Sequence, residues 1–171
     1  GEGVTIAVVD TGIAGELKEI PSARRSTVDL DTTYRGEHWH DPQGHGSMCA
    51  AIDAGCRKDG GRYEGVAPGA TVLAARSNLR SSDIADIYDE LLRMRALGKL
   101  KGPLVVSNSY GLETCSTPQI LPTAHPFMAT ILTAIQSGIF VCFAAGNNHR
   151  ECLSARSAGE RTQHDLGAEF A

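Results

Sequence analysis

The chain has 171 residues, 42% of them hydrophobic and 21% charged, and a formal net charge of −4. That length supports one domain with a sizeable core, and the acidic balance gives no electrostatic ground for a nucleic-acid partner. No apolar stretch approaches the roughly 20 residues that a membrane span requires, so none is expected.

Val4-Thr5-Ile6-Ala7-Val8-Val9 is a near-continuous β-branched run, the pattern of a strand buried on both faces of a parallel sheet. It ends in Asp10-Thr11-Gly12, which places a carboxylate at the strand's C-terminal end. Glu16 to Gly44 is polar and turn-rich, read as a loop with one short strand. From His45 the pattern turns helical, with Met48, Cys49, Ile52 and alanines on a small-residue face and Gly55 as the stop. Val72 to Ala75 is the next strand. A helix follows, with Ser81 or Ser82 as cap, Ile84, Ile87, Tyr88, Leu91 and Leu92 at helical spacing, and Gly98 as terminator. Leu104 to Ser107 is a short strand, Phe127 to Ser137 a helix closed by Gly138, and Ile139 to Ala144 another buried strand. Strands alternating with helices through short links imply an α/β fold, with a mostly parallel β-sheet flanked by helices in three layers. Chemistry in such sheets gathers at the carboxyl ends of the strands, where Asp10, Ser107-Asn108-Ser109 and Gly146-Asn147 fall.

Three elements at that edge suit acyl transfer. A histidine acting as general base needs one ring nitrogen free and the other held by an acceptor, which a buried Asp10 can provide to His45. An amide such as that of Asn147 can donate to an oxyanion. Singly, each has a plainer reading as strand-end punctuation or a turn residue; their combination at one edge is the informative feature.

Val8-Val9-Asp10-Thr11-Gly12-Ile13 resembles the aspartate motif of the subtilisin-like (subtilase) family of serine proteases. Asp41-Pro42-Gln43-Gly44-His45-Gly46-Ser47-Met48-Cys49-Ala50 is similar to its histidine motif, with Ser47 where the family usually has Thr and Ala51 where it usually has Gly. Gly65 to Ala70, Val106 to Gly111 and Phe143 to Asn147 resemble three further segments in family order, so the likeness runs from Val4 to Asn148. It implies a subtilisin-like fold, here incomplete, and serine endopeptidase activity on protein or peptide substrates through an Asp-His-Ser triad. Asp10 would orient the base, His45 would be the base, and Asn147 would donate to the oxyanion. Ser107, Asn108, Ser109, Tyr110 and Gly111 would pair with an extended peptide. The resemblance also favours secretion and allows structural calcium, although the acidic residues show no EF-hand spacing and no cofactor is assigned.

The pattern breaks after the asparagine. No Gly-Thr-Ser-x-Ala-x-Pro type motif follows Asn147, where Ser154 and Ser157 are the remaining serines, so these 171 residues lack a recognisable nucleophile. Residues 1–148 are therefore read as the N-terminal part of a peptidase domain, inactive alone, and 149–171 as an irregular tail, frame-shifted or disordered. The opening Gly1-Glu2-Gly3 without methionine points to an upstream segment. The alternative is a pseudoprotease that keeps a peptide groove without chemistry. A zinc site from His38, His40, Asp41 and His45 ranks below a polar loop beside the site. Of the five cysteines, Cys49 and Cys142 sit in apolar runs and are expected as buried thiols. Cys56, Cys115 and Cys152 lie in polar segments and are free to pair in an oxidising compartment. His125 and His149 are read as surface residues.

Overall fold

The computed structural model describes residues 1–28, 37–111 and 122–144. Five strands, β1 (Thr5–Asp10), β2 (Arg25–Thr27), β3 (Thr71–Arg76), β4 (Leu104–Asn108) and β5 (Phe140–Phe143), form one sheet in the order β2-β3-β1-β4-β5. Every pairing is parallel, and β1 lies in the middle, aligned from Thr5 opposite both Thr71 and Leu104. The expected three-layer α/β architecture is therefore the one observed.

Helix α1 (His45–Ala54) lies on one face and helices α2 (Ser81–Ala96) and α3 (Pro126–Gln136) pack together on the other. Strand alternation divides β1 between the two cores. Ile6 and Val8 join Cys49, Ala50 and Ala54 of α1, whereas Ala7 and Val9 join Ile84, Ile87, Tyr88, Leu91 and Ile131 of α2 and α3. Ile84, Ile87, Tyr88 and Leu91 of the spacing read for α2 lie on its buried face, extended by Met94, while Leu92 is only partly buried.

Two helix starts differ from expectation. Arg80, not a serine, occupies the N-cap of α2. The Asp83 carboxylate instead turns back to accept from Ser77 Oγ at 2.6 Å and from the Asn78 amide at 3.0 Å, tying the β3–α2 turn to the first helical turn. His125 is not a bystander: its Nδ1 accepts from the Phe127 amide and caps α3 ahead of Pro126.

The sheet is unevenly covered. On the face of β5 that looks toward the α1 side, Phe140 is 56% exposed and Cys142 is also exposed, while the intervening Val141 is buried against α3. Met48 and Ile52 of α1 are exposed as well. Cys142 is thus an accessible thiol where a buried one was expected, and Cys56 is buried with no disulfide among the described residues. Cys115 and Cys152 fall outside the described residues. No described helix is long and apolar enough to cross a membrane.

After β1 the chain runs along the α1 side, where Ile13 and Ile20 join that core, to β2 and only then to α1, and after β4 it runs to α3 on the other face. A crevice opens where neighbouring parallel strands send their connections to opposite sides. That point lies between the carboxyl ends of β1 and β4, beside Asp10 and Asn108.

Candidate active site

Asp10, the last residue of β1, is 1% exposed at its side chain, and its Oδ1 lies 2.8 Å from His45 Nδ1. The same oxygen accepts from the Thr11 amide at 2.7 Å, which holds the carboxylate against its own backbone. A carboxylate only accepts, so Nδ1 carries the ring proton and Nε2 is left as an acceptor. The imidazole is 45% exposed, so one edge is anchored in the protein and the other is open.

His45 is the first residue of α1, and the start of that helix is fixed by a short polar network. Thr11 Oγ1 accepts from the Gly46 amide at 3.0 Å and donates to Asp41 at 2.8 Å. Asp41 also accepts from the Ser47 amide and hydroxyl, at 2.9 and 2.6 Å, and from the Gln43 amide. Ser47 Oγ then accepts from the Ala14 amide. Partial burial pushes the Asp41 carboxyl up, but the hydrogen bonds from Ser47, Thr11 and Gln43 outweigh it and hold it below the usual value. Gly46 leaves no room for a side chain, since a Cβ there would overlap the Gly12 carbonyl oxygen and lie 3.0 Å from Asp10 Cβ.

Residues of β4 split by face. Asn108 is buried and turned toward α2: its amide donates to Tyr88 Oη at 2.9 Å and to the Cys142 carbonyl at 2.9 Å. Its oxygen accepts from Tyr110 Oη at 2.6 Å, and Tyr110 stacks edge-on against Phe143. Burial pushes both tyrosine hydroxyls up, so they stay neutral. Ser107 and Ser109 face α1 instead, with Ser107 on the side of Asp53 and Ser109 on the side of Cys49. Tyr110 and Gly111 continue beyond the end of β4. Asn147 lies outside the described residues.

Two groups at the site gave no signal in the sequence reading. Cys49, one turn after His45, brings Sγ to 3.9 Å from Nδ1. Burial pushes its thiol up, offset in part by the Ser109 hydroxyl and reinforced by Asp10 and Asp53, so it is no activated nucleophile. Asp53 closes the same helical face, with Oδ2 buried and unpaired among the described residues. Spacing at i, i+4 and i+8 was the available clue to both.

Burial is the main reason that the Asp53 carboxyl sits above its usual range, with Ser107 opposing it and Asp10 adding to it. Its position in the last turn of α1 sets it against the helix dipole too. A carboxyl raised on folding contributes stability below about pH 3.9 that is lost as pH climbs through the folded value. Asp53→Asn should therefore raise Tm at pH 7 by on the order of 2 °C, discounted for partial exposure, and give no gain near pH 3.5. Thermal melts at the two pH values check this.

The zinc grouping that ranked below a polar loop in the sequence is not formed among the described residues. His38 is fully buried, with Nδ1 accepting from the Arg76 amide at 3.0 Å, and His40 is exposed. Among the described residues the potential metal-binding group is Asp10, His45 and Cys49. One carboxylate, a thiol and an imidazole do not suit calcium, which takes 6–8 oxygen ligands.

Comparison with known proteins adds the family. The model of the subtilase family matches residues 1–167. Serine protease AprX of Bacillus subtilis (strain 168) is 28% identical over 166 residues, covering 93% of this chain and 36% of the relative. The crystal structure of MycP1 with its N-terminal propeptide removed superposes with a TM-score of 0.61 at 26% identity, over 88% of this chain and 45% of that one. The Clostridium perfringens CspB protease shares the fold, with a TM-score of 0.57 at 18% identity, over 87% of this chain and 37% of that one. The chain thus spans less than half the length of these relatives. A family match along nearly the whole chain, joined to the Asp10–His45 geometry, makes it a member of the subtilase family.

Proposed function

We propose that this chain supplies the acid–base half of a serine endopeptidase that cleaves protein or peptide substrates through an acyl-enzyme. The observation that carries the reading is the 2.8 Å contact between the buried Asp10 carboxylate and Nδ1 of the half-exposed His45. In that arrangement Nε2 takes the proton of an attacking hydroxyl and returns it to the leaving amine, while Asp10 fixes the tautomer and stabilises the imidazolium. Asn147 donates to the oxyanion, and the backbone from Ser107 to Gly111 aligns an extended peptide beside the base. The side chains of Asn108 and Tyr110 brace that segment from within, through Tyr88 and the Cys142 carbonyl.

The nucleophilic serine is contributed by residues beyond these 171. Two facts support this: no Gly-Thr-Ser motif follows Asn147, and the chain covers only 36% and 45% of the lengths of the two relatives. The chain alone is accordingly inert. A fluorophosphonate probe, which labels only an activated serine, separates the readings. The 171-residue chain should remain unlabelled, and the same segment joined to the remainder of its peptidase domain should label stoichiometrically. Failure of the joined protein to label would favour the peptide-binding pseudoprotease.

A further inference from the structure

Cys49 lies one helical turn beyond His45, so the two side chains leave α1 on the same face. The Asp10 carboxylate meets them from the end of β1. One ligand atom from each of the three lies within 4.8 Å of the others. Tetrahedral zinc, with Zn–N of about 2.0–2.1 Å and Zn–S of about 2.3 Å, sets nitrogen and sulfur roughly 3.5 Å apart. The observed Nδ1–Sγ separation of 3.9 Å is within a few tenths of an ångström of that. A second observation points the same way: Asp10 Oδ2 is buried with no hydrogen-bond partner among the described residues. Such an acceptor normally finds a partner, and a cation would supply one.

We infer that Asp10, His45 and Cys49 form a binding site for a zinc-class cation that switches off the general base. A thiolate with an imidazole selects zinc and its heavier congener cadmium over hard cations. On binding, the Cys49 thiol proton leaves to solvent and the sulfur bonds the metal. The His45 Nδ1 lone pair is taken as well, and the ring proton moves through solvent to Nε2. Asp10 gives up its hydrogen bond from Nδ1 and binds the cation. One proton is released per cation, and no oxidant or reductant is required. With its proton on Nε2, the imidazole no longer accepts one from a nucleophile. That last consequence rests on the function proposed above; the binding does not.

Cadmium(II) is the probe, titrated into the 171-residue chain and followed by thiolate-to-metal charge-transfer absorption. One equivalent should saturate a band that Cys49→Ser abolishes and Cys142→Ser leaves intact, and zinc should displace it. His45 is half-exposed, so His45→Ala tests the site even where a change at the buried Cys49 disturbs folding; it should weaken cadmium binding at least tenfold. A full band in Cys49→Ser, loss of the band in Cys142→Ser, or unchanged affinity in His45→Ala would each overturn the site. None of these readings depends on turnover, so they stand apart from the outcome of the fluorophosphonate experiment.

Discussion

Replacing His45 with alanine, with this segment joined to the rest of its peptidase domain, should lower kcat by about 10⁶-fold while KM for a peptide substrate changes little. The magnitude is taken over from subtilisin itself, where removing the base costs nearly as much as removing the whole triad. The split between the two constants follows from the geometry. His45 offers its open edge to the reacting atoms, whereas peptide alignment is assigned to the backbone beyond β4. Asp10→Asn is the finer test. An asparagine is the same size as the aspartate but has no negative charge to stabilise the imidazolium, and with its NH2 turned to Nδ1 it moves the ring proton to Nε2 and disables the base. The expected loss is of order 10⁴ in kcat, with an unchanged circular dichroism spectrum. Retention of more than a tenth of the wild-type kcat in either variant would remove Asp10 and His45 from the mechanism.

Much of this arrangement was readable from residue types alone, because the sheet is built from runs with little ambiguity. Six consecutive buried residues in β1 leave only a doubly covered parallel strand as a solution, and the carboxylate at its end follows directly. The same logic failed at β5. An apolar run was taken to mean cover on both faces, yet no described helix lies over the α1 side of that strand, so Phe140 and Cys142 emerge. Local sequence also misread His38. It reads as part of a polar loop, but the backbone amide of Arg76 at the end of β3 needs an acceptor, and His38 is buried to provide one. The start of α2 was misplaced for a similar reason. Serine is a good cap in isolation, but the Asp83 carboxylate reaches back across the turn to Ser77 and Asn78. In each case the deciding partner lies outside the window in which periodicity is judged.

The largest expected effect on folding is at Gly46. Helix α1 begins almost in contact with the strand end it serves: the Gly46 amide bonds Thr11 Oγ1, and the neighbouring imidazole bonds Asp10. A methyl group at Gly46 would overlap the Gly12 carbonyl oxygen, which is backbone and cannot swing aside as a side chain would. Gly12 itself cannot yield easily. It sits at φ +114°, a conformation reserved for glycine, and a Cβ on it would overlap the His40 carbonyl oxygen. Gly46→Ala must therefore displace α1 from β1, opening the core formed by Val8, Ala50 and Ala54. Overpacking of this kind costs about 3 kcal/mol, roughly 6–12 °C in Tm for a domain of this size. Ala51→Gly, a helix-interior change at a half-buried position, should cost only about 1 kcal/mol through propensity and serves as the comparison. Equal melting temperatures for the two variants would show that the close approach of α1 to β1 is not what holds His45 against Asp10.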